Sequence, residues 1–137
     1  MYVGEIWEIS VVNILDRGVS NQERIAFYIN QQINIGQYGV FLGIKHFDDA
    51  AIPIKDNLFW FGDGVLNPGD WIFLYTGEGN HTTNDISGTN NKIYSLHWGK
   101  KATVLNNINV VPILIRVDAV RVYQELPLLP NNSKQSG

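Results

Sequence analysis

Gly64-Val65-Leu66-Asn67-Pro68-Gly69-Asp70-Trp71-Ile72-Phe73-Leu74-Tyr75-Thr76-Gly77-Glu78-Gly79 is the stretch whose reading decides the fold. Asn67-Pro68-Gly69-Asp70 places Pro and Gly where a type II turn wants them. The Pro68 ring fixes φ for the first central position, and Gly69 takes the positive φ of the second at no steric cost. The run that follows, Trp71 to Thr76, is short, bulky and bounded by turn residues, so it reads as a strand. Its residues from Trp71 to Tyr75 are apolar on both faces, which puts this strand in the middle of a sheet or under cover on both sides. Gly77-Glu78-Gly79 then reverses the chain.

Working outward, the same alternation of apolar runs and turn residues recurs, and helical periodicity is nearly absent. Strands are expected over Glu5 to Leu15, Glu23 to Asn30, Tyr38 to His46, Leu58 to Phe61, Ile93 to Trp98 and Val110 to Tyr123, the last breaking near Asp118. In the second of these Ile25, Phe27 and Ile29 share one face while Arg24, Tyr28 and Asn30 share the other, the mark of a half-exposed strand. Val110 to Ile115 is apolar on both faces and needs cover on both, yet Pro112 cannot donate to a ladder and points to an edge or a bulge. Evenly spaced runs of this kind signal an all-β antiparallel sandwich or barrel. One domain is expected over residues 1–125. Residues 126–137, Leu126-Pro127-Leu128-Leu129-Pro130 and a polar end, read as an extended or disordered tail. Residues 78–91 form a long polar loop, a length that in a compact domain is usually functional or mobile.

Composition limits the function. With 137 residues, 45% of them apolar, the chain can bury roughly 68% of its unfolded surface as one domain. A net charge of −3 with scattered Lys and Arg leaves no basic stripe, so no strong nucleic-acid signal exists. The absence of cysteine excludes disulfides and thiolate metal sites. No stretch approaches the ~20 apolar residues of a membrane span, and the start Met1-Tyr2-Val3-Gly4-Glu5 lacks the pattern of a secretory signal, so a cytoplasmic protein is expected.

From Asn21 to about Val120 the order of features resembles bacterial lamin-tail domains. The strongest stretch runs from Gly64 to Asn107: Gly64-x-Leu66-x-Pro68-Gly69 before a strand, Tyr75-Thr76-Gly77-Glu78-Gly79, a loop rich in Thr and Asn, Trp98-Gly99, and Val104-x-Asn106-Asn107. After Asn107 the Gly-Asp turn usual in that family is replaced by Ile108-Asn109-Val110, and the N-terminal strand is unusually long, so the resemblance is to a divergent member. It implies an immunoglobulin-like β-sandwich and a non-catalytic module that binds other molecules, with Tyr75 and Trp98 in the core. It carries over no catalytic residue.

Few side chains form a constellation that carries chemistry. His46, His81 and His97 have no ligand-like spacing. His46 beside Asp48 and Asp49 suits either a divalent ion or, more simply, a solvated turn. Asp56, Asp63 and Asp70 surround Leu58-Phe59-Trp60-Phe61, which suggests sugar hydrolysis, but Asp63 and Asp70 are equally good turn residues. Asn80-His81-Thr82 and Asn131-Asn132-Ser133 match the glycosylation sequon. Gly77-Glu78-Gly79 lacks the Gly-Lys-Ser/Thr ending of a phosphate loop, and nothing pairs a nucleophile with a base.

Two function classes follow. The first is a non-enzymatic binding module, without cofactor or metal, whose partner is another protein or a second copy. Its candidate interface residues are Trp7, Ile9 and Val11 on the long first strand, whose apolar edge needs a partner. The second is a binder of a small anionic ligand such as a nucleotide. There the loop 77–91, with Glu78 and His81, would act together with His97, Trp98, Lys100 and Lys101 through charge and stacking.

Overall fold

The computed structural model describes residues 4–46 and 50–125. Within them run ten strands: β1 Ile9–Leu15, β2 Arg24–Ile29, β3 Ile33–Asn34, β4 Tyr38–Lys45, β5 Ala51–Trp60, β6 Val65–Leu66, β7 Trp71–Tyr75, β8 Thr82–Asp85, β9 Lys92–His97 and β10 Val110–Arg116. One 3-10 turn, Ile35–Gln37, is the single helical element among the described residues. The protein is all-β, a sandwich of a five-stranded sheet in the order β1-β2-β7-β9-β8 and a three-stranded sheet in the order β10-β4-β5. A two-stranded ribbon, β3 with β6, lies at one end of the core through Leu66 and the adjoining Ile35.

Alternation along the strands builds that core. β2 turns Ile25, Phe27 and Ile29 inward, β7 turns Ile72 and Leu74, and β4 turns Tyr38, Val40 and Leu42 from the opposite sheet. Phe27 meets Phe61 edge to face at 5.5 Å between ring centroids. Gly69 takes the positive φ its turn requires, and Asp70 closes that turn by accepting from the Asn67 N–H at 2.8 Å. β7 is central, as its two apolar faces demand, and β10 is an edge strand, as Pro112 demands.

Several expectations need correction. β7 and β9 pair in parallel, with Trp71 opposite Ile93 and Tyr75 opposite His97, so the sheet is mixed and not purely antiparallel. The chain achieves this by running first through β8, which lies antiparallel to the far side of β9. The loop of residues 78–91 therefore contains a strand that apolar patterning could not reveal, because Thr82–Asp85 is polar and exposed on every residue. β5 begins at Ala51, well before Leu58, and bulges where Asp56 takes a positive φ. The first strand starts at Ile9, not Glu5, and β10 stops at Arg116, leaving residues 117–125 outside any ladder. Residues 126–137, read as a tail, and Asp48 and Asp49, read beside His46, lie outside the described residues.

Candidate functional site

The residues grouped for an anionic ligand do not converge. Strand alternation sends the end of β9 to two sides. His97 lies on the outer face of the five-stranded sheet, stacked on Tyr75 at 5.1 Å and on His81 at 6.1 Å. Trp98 packs toward the core against Phe59 at 5.6 Å, with the Lys100 ammonium 5.0 Å from its ring centroid. Lys100 also donates to Asn57 Oδ1 at 2.6 Å, and burial holds its pKa below the usual lysine range. Lys101 and Glu78 form a separate, exposed ion pair at 3.4 Å. Burial first, and the neighbouring His81 second, lower the pKa of His97, so its ring favours the neutral form. Its buried Nδ1 has no hydrogen-bond partner. The two cations that an anion would need are thus held by other groups, on different sides.

Of the carboxylates grouped for sugar hydrolysis, Asp70 serves a turn. Asp70 is 2% exposed and is fully used by its turn, accepting from the Asn67 and Lys92 backbone N–H groups and from the Asn91 amide. No group of three or more His, Asp or Glu side chains among the described residues is placed to hold a metal ion. No described helix is long and apolar enough to cross a membrane.

The proposed interface on the first strand also changes. Ile9 is 2% exposed and belongs to the chain's own core, so it cannot meet a partner. Val11 and Trp7 do remain open, at 41% and 75%. The edge of β1 is poorly suited to adding a strand, because its register shifts between Val11 and Asn13 and the Asn13 side chain accepts from the Ile14 N–H at 2.8 Å.

Two buried carboxylates were not singled out by the sequence, and both are structural. Glu8, just before β1, accepts from the Tyr38 hydroxyl at 2.6 Å and from Arg116 at 2.6 Å, so it ties the two sheets together. Burial alone would raise its pKa, but the Tyr38 and Arg116 hydrogen bonds outweigh that and hold it at about 2. Burial and the bond to Glu8 push Tyr38 up to about 12. Glu23 is 1% exposed and accepts from the Thr76 hydroxyl at 2.5 Å, the Gly18 N–H at 2.9 Å and the Val104 N–H at 2.8 Å. It accepts from the Leu105 N–H as well. Here too burial opposes ionisation, and the hydrogen bonds from Thr76 and the backbone lower the pKa on balance.

What the molecule leaves unused is a surface. With Tyr38, Val40 and Leu42 turned into the core, β4 presents Gly39, Phe41 and Gly43 outward. Opposite these on β10 stand Ile115, Ile113 and Val111, and on β5 stand Trp60, Leu58 and Pro53. Every one of those outward residues is apolar, and Leu58 and Trp60 are 45% and 43% exposed. The two glycines make the face flat: the Trp60 ring lies over Gly39 and the Ile113 side chain over Gly43, where a Cβ would come within 3.0 Å and 2.5 Å of them. Lys45 stands at one end of β4, and exposed Lys55 and Asp56 stand in the bulge of the edge strand β5. The outer face of the five-stranded sheet differs. There Trp71, Phe73 and Tyr75 are half-buried, and Arg24, paired with Asp16 at 2.8 Å, lies over the Phe73 and Tyr75 rings.

The chain matches no protein-family model, no curated protein and no solved structure. The candidate site therefore rests on geometry. An antiparallel sheet with one face on the core ordinarily alternates apolar and polar along each strand. This three-stranded sheet is apolar on both faces, and its outer side is covered by no other described strand or helix. Such a face can bind apolar surface.

Proposed function

We propose that the protein is a non-enzymatic binding module that works through protein–protein contacts, with a second copy of itself as the partner. The observation that carries this reading is the flat outer face of β10-β4-β5, formed by Phe41, Leu58, Trp60, Val111, Ile113 and Ile115 with no charge among them. A contiguous apolar patch of a few hundred Å² on a protein surface is often functional. Absence of charge suits self-pairing, because a contact made by one patch with itself then leaves no ion unpaired when the two copies meet. Sheets also pack well face to face, at about 10 Å with strands nearly aligned.

The reading includes the divergent, immunoglobulin-like kinship to lamin-tail domains, which is supported by the ordered string from Gly64 to Asn107, and it fits a cytoplasmic setting. Light scattering on a Leu58→Lys variant tests it. Leu58 is 45% exposed, so the charge is tolerated by the fold while it disrupts the contact. A smaller particle that keeps the wild-type circular dichroism spectrum supports the reading, and an unchanged oligomer places the contact elsewhere.

A further inference from the structure

The segment after β10 behaves unlike the rest of the chain. Residues 117–125 are tied down at their start, where the Val117 N–H donates to the Gln37 carbonyl at 2.8 Å and the Gln37 side chain donates to the Val117 carbonyl at 3.2 Å. Beyond that point the apolar side chains face outward: Val120 is 77% exposed, Val122 74% and Tyr123 79%. These residue types favour a strand, and Val120 and Val122 would share one face of it, yet they belong to no ladder. The segment leaves the domain beside the uncovered sheet face, because Trp60 lines a cavity of about 360 Å³ together with Gln37, Val117 and Val120.

Area gives a reason to connect arm and face. Seven residues by three strands, at ~3.4 Å and ~4.8 Å spacing, make a face of roughly 340 Å² in projection. Two such faces supply about 700 Å², less than the ~1,200 Å² at the lower end of stable interfaces. A contact through the sheet faces alone is thus in the range of weak, transient ones. The arm supplies what is missing, since nine extended residues reach at most ~30 Å and so can cross three strands. The edge strand β1 is an unsuitable alternative seat, being bulged and capped by Asn13.

We propose that residues 117–125 form an exchanged arm: in the assembled protein the arm of each copy lies across the outer face of β10-β4-β5 of a second copy, with Val120 and Val122 against Phe41 and Ile113. This rests on the self-association proposed above and places an arm, not a second sheet, on the face.

The chain has no cysteine, so single introduced cysteines report contacts without competition. Val122→Cys protein is mixed with Ile113→Cys protein and, in a parallel arm of the experiment, with Ser10→Cys protein. Ser10 pairs with Tyr28 in the five-stranded sheet, away from the proposed contact. After subunit exchange under mild oxidation, the mixed disulfide should form with Ile113→Cys and not with Ser10→Cys. A Val120→Ser, Val122→Ser, Tyr123→Ser variant of the full chain should bind its own copy more weakly, by roughly tenfold or more, as expected when apolar anchors are lost. Self-association that persists with unchanged affinity in that variant, and without the mixed disulfide, overturns the exchanged arm and leaves the face-to-face reading standing. A wild type that stays monomeric overturns both.

Discussion

Replacing Glu23 by Gln keeps the shape of the side chain and removes half of its accepting capacity, so it measures what one buried carboxylate does for this fold. One oxygen accepts from Gly18 and Leu105, and the other from Thr76 and Val104. A Gln retains a single acceptor oxygen and turns an NH₂ group toward the remaining pair. The Thr76 hydroxyl can turn to accept from that group, and the Leu105 N–H reaches both oxygens, so one backbone N–H, Val104 or Gly18, is left facing a donor. Each unsatisfied buried group costs about 1–3 kcal/mol, and bonds to a charged acceptor are the stronger ones. The expected loss is ~2–4 kcal/mol, a large share of a small domain's stability. Urea unfolding followed by Trp fluorescence reads it directly, and the Val104–Leu105 segment should lose amide-exchange protection earliest. A loss under ~1 kcal/mol would refute the reasoning, because it would mean that water or a rearranged loop satisfies that N–H group.

Other outcomes follow from the same geometry. Ile9→Lys buries an unpaired ammonium in the core and should cost more than ~4 kcal/mol, while Val11→Lys on the open side should stay within ~0.5 kcal/mol; thermal melts of the two variants decide. Glu8 has a folded pKa lowered from 4.5 to about 2, so its contribution is fully present above pH 4.5 and is lost as pH falls toward 2. That contribution is on the order of 3 kcal/mol, and Arg116→Met should flatten the acid dependence of stability across this window, as unfolding measured from pH 5 to pH 2 would show.

Much of the architecture was legible because turn chemistry and apolar runs are local. Pro68-Gly69 announced β7, the two apolar faces of β7 placed it centrally, and Pro112 put β10 at an edge. The parallel pairing of β7 with β9 was not legible, since it depends on β8, a strand of Thr, Asn and Asp whose role is to pair and not to bury. Ile9 was misplaced for a related reason: an apolar strand shows that cover is needed, not whether the chain itself supplies it. A signal for the buried ion pair did exist. Glu8 interrupts an apolar run and Arg116 ends one, and a charge set among apolar neighbours asks for a partner. Within the ligand grouping of Glu78, His81, His97, Trp98, Lys100 and Lys101, His97 and Trp98 turn to opposite sides where β9 ends, a separation that closeness in sequence hides. By contrast, the apolar character of both faces of Val110–Ile115 was legible; the expected cover lies on the inner side alone, and the open side became the candidate surface.

On the function proposed above, a second copy of the chain covers this apolar sheet face. Sedimentation equilibrium of the wild type over micromolar to hundreds of micromolar concentrations tests it most directly. The mass should rise from the 15.5 kDa of one chain to twice that value. A mass that stays at 15.5 kDa throughout that range would contradict it.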